Sequence, residues 1–307
     1  MDRRQFLALG ALNSLGVALP AFGAPGGGPK RGLRRLAGPV ESPTGLSTGW
    51  SDLDALTGGL HRGDLLVLGG RPAMGKSTMA LNIAAHAIVT DERNVAVFSM
   101  ERPAEQVALS VVATLADVAF HELRTGQVDE TAWSRVEAAI ATVNDRGNLH
   151  VDDAPTLTPA DLAARAGKIA RDRELGLIVV DYLQLMTLSS PSPNRTVGIG
   201  EIARSLKALA ERLNAPVLAL AQLNRALERR PDRRPVVSDL TDHETLVEHA
   251  DVIAFAYRHE VYEPEDASAR GRAEILVRKQ RGRPPGRVDL AFRPPARRFD
   301  DWRPSAT

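Results

Sequence analysis

The chain has 307 residues, of which 43% are hydrophobic and 25% are charged, ordinary values for a soluble globular protein with a sizeable core. Its formal net charge is only +1, so any surface for nucleic acid has to come from local clusters of basic residues. It has no cysteine, which excludes disulfides, thiolate metal sites and cysteine nucleophiles. Aromatic residues make up only 4%, so contacts to nucleic acid should be mostly to its backbone.

Residues 1–42 are predicted to be a leader followed by a basic linker rich in Gly and Pro. The first 25 residues, MDRRQFLALGALNSLGVALPAFGAP, combine paired Arg3 and Arg4 with an apolar stretch and small residues, and they resemble a twin-arginine export signal. The apolar stretch is short and interrupted, so it predicts no stable membrane insertion. A disordered leader and an over-extended gene start are the alternatives.

The globular pattern predicts one domain over residues 43–303, followed by a tail at 304–307. Apolar runs of strand length alternate with amphipathic segments of helix length, which is typical of βαβ units and a mostly parallel sheet. The predicted parallel strands are Asp64–Gly69, Asn94–Met100, Leu149–Asp153, Leu177–Asp181, Pro216–Gln222 and Asp251–Tyr257. The runs AEILVRKQ and RVDLAF, joined through GRPPG, predict a final antiparallel pair.

Two helices between the strands have clear signals. One begins at TPADLAARAGKIAR, where Thr158 is suited to cap the helix and Pro159 to occupy its first turn. The other, GEIARSLKALAERLN, has a single apolar stripe. Its members are Ile202, Leu206, Leu209 and Leu213.

The stretch Gly70-x4-Gly75-Lys76-Ser77 matches the P-loop pattern and lies between a predicted strand and a predicted helix. Glycines let backbone N–H groups turn toward phosphates, and the helix N-terminus adds a favourable field. Lys76 would reach the β- and γ-phosphates of ATP, and the Ser77 hydroxyl would help to bind Mg²⁺. The predicted nucleotide-binding residues are Gly70, Arg71, Pro72, Ala73, Met74, Gly75, Lys76, Ser77 and Thr78. A glycine turn without a ligand is the alternative.

Three polar residues end other predicted strands. Asp181 stands at the tip of LIVVD, where α/β folds bind ligands, and is a candidate partner of Mg²⁺. Glu101 follows NVAVFSM and is a candidate base for the attacking water. Gln222 ends PVLALAQ and could contact the γ-phosphate. The alternatives are a capping or surface aspartate and two ordinary polar strand ends.

Two basic clusters are candidates for charge-dependent contacts. The loop QLNRALERRPDRRP contains the predicted DNA-binding residues Arg225, Arg229, Arg230 and Arg234, with a solvated face as the alternative. The second cluster, RKQRGR, is expected on a strand and could supply an arginine finger to a neighbouring subunit's nucleotide. Nucleic-acid contact and plain surface charge are its alternatives.

Together these stretches resemble the motor domain of DnaB-type replicative helicases, a RecA-like P-loop NTPase fold whose mostly parallel central sheet is flanked by helices. The likeness runs from about Gly45 to Trp302 through TGWSDLDALTGGL, GGRPAMGKST, FSMERPAEQ, LIVVDYLQLM and RKQRGRPPGRV. It implies a hexameric ring that moves 5′ to 3′ on single-stranded DNA in replication, with a loader or a primase as partner. It also implies that Glu101 is the catalytic base, Gln222 the γ-phosphate sensor, and Lys279 and Arg281 are supplied in trans.

The sequence departs from the family pattern in three places. The leader and linker stand where members usually carry an N-terminal helical domain and a linker helix, so we expect weaker ring assembly. The DNA-contacting loop has Thr241 in place of an arginine and Glu244 in place of a glycine, which should weaken its grip on phosphates. The export-like leader is foreign to the family, and we nevertheless expect action in the cytoplasm. A non-unwinding RecA-fold ATP-binding module is the alternative function.

Overall fold

The computed structural model describes residues 43–188, 195–240 and 243–303, so the predicted leader and the C-terminal tail lie outside the described residues. The strands are β1 (Leu65–Gly70), β2 (Asn94–Ser99), β3 (Leu149–Asp152), β4 (Leu175–Asp181), β5 (Val217–Gln222), β6 (Val252–Tyr257), β7 (Arg272–Lys279), β8 (Gly286–Arg293) and β9 (Arg298–Asp301). The α-helices are α1 (Ser51–Thr57), α2 (Lys76–Val89), α3 (Ala104–Ala116), α4 (Phe120–Thr125), α5 (Glu130–Arg146), α6 (Pro159–Asp172), α7 (Arg195–Leu213) and α8 (His243–His249). Short 3-10 turns include Leu183–Leu185 and Arg225–Arg229.

All nine strands join one sheet in the order β3-β2-β4-β5-β1-β6-β7-β8-β9. The six strands from β3 to β6 run parallel, and β7, β8 and β9 continue the sheet antiparallel. The six predicted parallel strands are all present, with ends shifted by two residues or fewer. The predicted antiparallel pair is a set of three strands, because the short polar β9 adds to β8. Only the start of the RKQRGR cluster is on a strand, since β7 ends at Lys279.

Alternate side chains of the parallel strands enter two separate cores, one on each face of the sheet. In β1, Leu65 and Val67 join the core beneath α6, α7 and α8, whereas Leu66 and Leu68 join the core beneath α1, α2 and α3. This period-two division explains why β1, β2, β4, β5 and β6 are nearly continuous apolar runs: both of their faces are buried. A third, smaller core lies among α3, α4 and α5, and Phe120 contributes to it.

The helices begin and pack as their sequence signals predict. Thr158 caps α6 in a capping box with Asp161, and Pro159 is the first helical residue. On α7, Ile202, Leu206 and Leu209 are buried in the core, and Leu213 packs partly buried against it. Within the part of the chain that the structure describes, no helix is both long and apolar enough to span a membrane.

The carboxyl ends of the parallel strands meet along one edge of the sheet. Gly70 at the end of β1 is opposite Gln222 at the end of β5. Ser99 at the end of β2 is opposite Asp181 at the end of β4. Because these neighbours are far apart in sequence, it is the strand order that assembles a polar site from otherwise separate segments.

Candidate nucleotide-binding site

The loop between β1 and α2 has the backbone of an anion-binding turn. Gly75 caps α2 with φ of 89°, and no side chain accepts hydrogen bonds at this helix start. A Cβ atom at Gly75 would lie 2.7 Å from Cζ of Phe299, so this position requires glycine both for its φ and for its space. The first N–H groups of α2 have no intrahelical partner and point out of the helix start, as phosphate binding requires.

Two arginines brace this loop, one from another segment and one from the loop itself. The guanidinium of Arg258, just after β6, donates from Nη1 to the carbonyl O of Ala73 at 2.9 Å and lies 4.0 Å from the ring centre of Phe292. Arg71, which is buried, donates from Nη1 to the carbonyl O of Leu223 at 3.0 Å. The loop is therefore fixed from both sides, although Pro72 and Ala73 at its tip are exposed.

Lys76, Ser77 and Thr78 form the first turn of α2 and are partly exposed at the site. The Nζ atom of Lys76 donates to the carbonyl O of Arg71 at 3.2 Å. Burial lowers the pKa of Lys76, while the negative charges of Asp181 and Glu101 act to raise it. Asp181 ends β4 and Glu101 follows the end of β2, so both lie at the same edge of the sheet as the P-loop.

The two acidic residues differ in environment. Asp181 is only 3% exposed at the end of β4, and its Oδ2 atom lies 3.1 Å from Nη2 of Arg102. Glu101, two residues beyond the end of β2, is exposed. A buried carboxylate paired with a cation is suited to hold charge, and an exposed one is suited to exchange a proton with water.

Gln222 is the exposed last residue of β5, beside the start of the P-loop. Gln184 holds its backbone at both ends: the Gln222 N–H donates to Gln184 Oε1 at 3.1 Å, and Gln184 Nε2 donates to the Gln222 carbonyl O at 3.3 Å. The amide side chain of Gln222 thus projects from a fixed backbone. Sequence reasoning missed Gln184 and Arg102, whose only sequence signal is that each lies within three residues of a polar strand end.

The four arginines predicted to bind DNA divide into two pairs. Arg225 and Arg229 are exposed on the 3-10 turn after β5. Arg230 instead donates to Asp239 at 2.7 Å, and Arg234 makes a two-pronged contact with buried Glu274 at 2.7 and 2.8 Å. That contact raises the pKa of Arg234. The second pair therefore has structural partners within the chain, and the first pair faces solvent.

Lys279 and Arg281 lie near the opposite edge of the sheet from the P-loop. Lys279 donates to the carbonyl O atoms of Val247 and Ala250 at the end of α8. Arg281 is 68% exposed, and its Nε atom lies 2.9 Å from Oδ1 of buried Asp251. Of the two departures in the DNA-contacting loop, Thr241 lies outside the described residues, and Glu244 is exposed at the start of α8.

Fold and site together define a nucleotide-binding α/β protein of the P-loop class. The model of the DnaB-like helicase C terminal domain matches residues 45–301, and the chain belongs to this family.

Curated proteins with similar sequences are named as replicative DNA helicases. The replicative DNA helicase DnaB of Haemophilus influenzae is 46% identical over 260 residues, which are 84% of this chain and 55% of that protein. The replicative DNA helicase DnaB of Geobacillus stearothermophilus is 38% identical over 250 residues, which are 81% of this chain and 55% of that protein. The chain thus spans little more than half the length of these relatives.

Solved structures agree with the fold. One solved ATPase domain has a TM-score of 0.80 at 28% identity, and the match covers 85% of this chain and 93% of that domain. A DnaB-like replicative helicase, whose structure concerns its interactions with primase, has a TM-score of 0.80 at 27% identity, and the match covers 85% of this chain and 63% of that one. The predicted RecA-like fold is confirmed.

Proposed function

We propose that this chain is an ATP-driven DNA helicase that moves 5′ to 3′ on single-stranded DNA during replication. The observation that carries the proposal is the placement of Lys76, Asp181 and Glu101 at one sheet edge, in a chain of the DnaB-like family. The names of the relatives favour a helicase over a non-unwinding ATP-binding module.

The residues present fit Mg·ATP. The first turn of α2 offers free N–H groups to the phosphates, and the Ser77 hydroxyl and Asp181 carboxylate are oxygen ligands of the kind that Mg²⁺ prefers. When bound, Mg²⁺ would neutralise charge on the β- and γ-phosphate oxygens. Lys76 adds a positive charge there, and Glu101 accepts the proton of the attacking water. Gln222 contacts the γ-phosphate and transmits its loss to the loop that follows.

The position of Lys279 and Arg281 supports assembly into a ring of identical subunits. Arg281 is held by Asp251, whose carboxylate also accepts from the N–H of Leu65 at the beginning of β1. A strand rises about 3.3 Å per residue, so five steps along β1 separate Arg281 from its own P-loop by about 17 Å. Only a neighbouring copy can bring these basic residues to the nucleotide, which implies that the active site forms between subunits.

A forked DNA with a single-stranded 5′ tail tests the proposal. We expect ATP-dependent unwinding of this substrate, none of a fork with only a 3′ tail, and ATP turnover that rises with single-stranded DNA and with protein concentration. Lys76→Ala should abolish turnover and unwinding, while Lys168→Ala, on the exposed face of α6, should leave both unchanged. Turnover that ignores DNA, with no unwinding by the wild type, would refute the helicase and support the non-unwinding module.

We also propose that residues 43–303 form one motor domain that acts in the cytoplasm, preceded by a leader and linker. Of the four arginines predicted to bind DNA, Arg225 and Arg229 are exposed and are the pair that we propose contacts DNA phosphates. A primase is a proposed partner, because one similar solved structure concerns a helicase and its interactions with primase. A helicase loader is a second proposed partner.

Sequencing the N-terminus of the protein purified from its own cells tests the proposed location, since cleavage near Ala24 would indicate export.

A further inference from the structure

Arg102 is next to one acidic residue of the proposed ATPase site in sequence and forms an ion pair with the other. It directly follows Glu101 in the turn that joins β2 to α3. The hydroxyl of Ser99 fixes this turn, because it donates to the Arg102 carbonyl O at 2.7 Å and accepts from the Arg102 N–H at 3.2 Å. Since Ser99 is opposite Asp181 in the sheet, the guanidinium of Arg102 meets that carboxylate, with Nη2 3.1 Å from Oδ2.

The ion pair between Arg102 and Asp181 has the features of a weak pair. It is a single contact, not the two-pronged arrangement that makes arginine–carboxylate pairs strong. The Nε atom of Arg102 is buried without a hydrogen-bond partner in the described part of the chain. Burial and the positive charges of Arg102 and Arg124 lower the pKa of Arg297, so Arg102 also has another cation within electrostatic range. Within the described residues, Asp181 is the one acidic side chain in an ion pair with Arg102.

We propose that Arg102 is a positioning residue that competes with Mg²⁺ for Asp181 and thereby sets the Mg²⁺ concentration at which the site takes up Mg·ATP. This inference rests on the proposed ATPase function. Asp181 is buried, so its carboxylate cannot serve both a guanidinium and a divalent ion with its hydrating water. A guanidinium left a few ångströms from the ion also repels it.

The test compares neutral and charged variants in a Mg²⁺ titration with a fluorescent, non-hydrolysable ATP analogue. In Arg102→Gln the Mg²⁺ concentration for half-saturation should fall about tenfold, the size of a near charge–divalent repulsion screened by water. Arg102→Met is a second neutral variant with the same expected result. Arg102→Lys retains the charge and should titrate within about twofold of the wild type by the same reasoning.

Arg124→Gln is the matched control, because Arg124 also acts on Arg297 but makes no ion pair with Asp181 in the described chain. Its midpoint should equal that of the wild type, and analogue binding in EDTA should be unchanged in every variant. Unchanged midpoints in folded Arg102→Gln and Arg102→Met would overturn this inference and leave the proposed ATPase function standing. Weaker binding of the analogue in EDTA would also overturn it, because Arg102 would then bind phosphate. A wild type that binds no analogue at any Mg²⁺ concentration overturns the proposed function as well.

Discussion

Glu101 and Asp181 carry the same chemical group in different surroundings, which fits the two different roles that we propose for them. Asp181 is buried at a strand end and already balances the positive charge of Arg102. Glu101 is exposed on a turn and keeps access to water. Pairs of carboxylates whose environments differ in this way commonly separate into one that holds charge and one that moves a proton.

This division predicts the behaviour of Glu101→Gln. Removing the base while keeping the shape of the side chain should leave Mg·ATP binding intact and lower ATP turnover by about 10²–10⁴-fold. Calorimetry measures the first and a phosphate-release assay the second. Glu105→Gln, on the exposed first turn of α3, is the control and should leave both Mg·ATP binding and ATP turnover unchanged. Turnover close to wild type in Glu101→Gln would exclude Glu101 as the base.

Residues of the site differ in how far the sequence could predict them. Gln222 ends an apolar run and Lys76 opens the helix that follows the P-loop pattern, so local pattern is sufficient to predict where both lie. The contact of Arg102 with Asp181 depends on β2 lying next to β4, and no local pattern contains that strand order. For the same reason, a count of arginines could not reveal that Arg230 and Arg234 have acidic partners within the chain.

At the scale of elements, one contact joins the P-loop to the basic turn after β5. The Nε atom of Arg71 lies 2.8 Å from Oε1 of Glu228, and Nη1 of Arg71 donates to the carbonyl O of Leu223. Glu228 belongs to the same 3-10 turn as the exposed Arg225 and Arg229. A change of the P-loop on ATP binding can therefore reach the proposed DNA contacts through Arg71.

If this link couples the two sites, Glu228→Gln should leave the basal ATPase rate near wild type and reduce its stimulation by single-stranded DNA about fivefold or more. The reason is that the loss of one charge loosens the turn from Arg71 without touching the nucleotide. Steady-state ATPase assays with and without single-stranded DNA measure both rates. Glu265→Gln, an exposed residue in a different loop, is the control. Full stimulation in Glu228→Gln would show that coupling runs elsewhere.

The strands differ in how well the sequence pattern predicts them. Strands β1, β2, β4, β5 and β6 are predictable, because burial on both faces leaves long apolar runs, whereas the partly exposed edge strand β3 has only a short one. Strand β9 is not predictable, since its sequence RFDD has one apolar residue and neither an apolar run nor an alternation. It is defined by pairing with β8 and by Phe299, which packs against the P-loop glycine.

A buried charge cluster at the start of β1 makes a prediction about stability. Asp251 is fully buried, and its Oδ2 atom lies 2.8 Å from Nζ of Lys207 and accepts from the Leu65 N–H at 2.8 Å. Asp251→Asn leaves the largely buried Lys207 without its main counter-charge, so we expect the free energy of unfolding to fall by about 3–5 kcal/mol. Urea denaturation measures it. Asp172→Asn, at an exposed position of α6, is the control and should change the free energy of unfolding by less than about 0.5 kcal/mol. An equal loss of stability in both variants would contradict the role of burial.

At the scale of the whole molecule, the proposed ATPase residues and Arg281 lie at opposite edges of the sheet. We call these the catalytic edge and the donor edge. The P-loop and its acidic partners lie where β1, β4 and β5 end, whereas Arg281 is anchored where β1 begins. Under the proposed function, a single subunit would contain both halves of a site that it could not close alone. A head-to-tail arrangement of copies brings each donor edge to the next catalytic edge, and such heterologous contacts close into rings.

This polarity predicts that two inactive variants restore each other. Lys76→Ala and Arg281→Ala should each lack ATPase activity, but a mixed ring places an intact Arg281 beside an intact P-loop at about one quarter of its interfaces under random mixing. Co-expression with two different tags and sequential purification yields the mixed assemblies for an ATPase assay. The control mixes Lys76→Ala with Glu101→Gln, whose lesions both lie on the catalytic edge, so none of its interfaces has a complete site. Recovery near one quarter in the first mixture alone supports the site between subunits, and no recovery would place the function of Arg281 elsewhere.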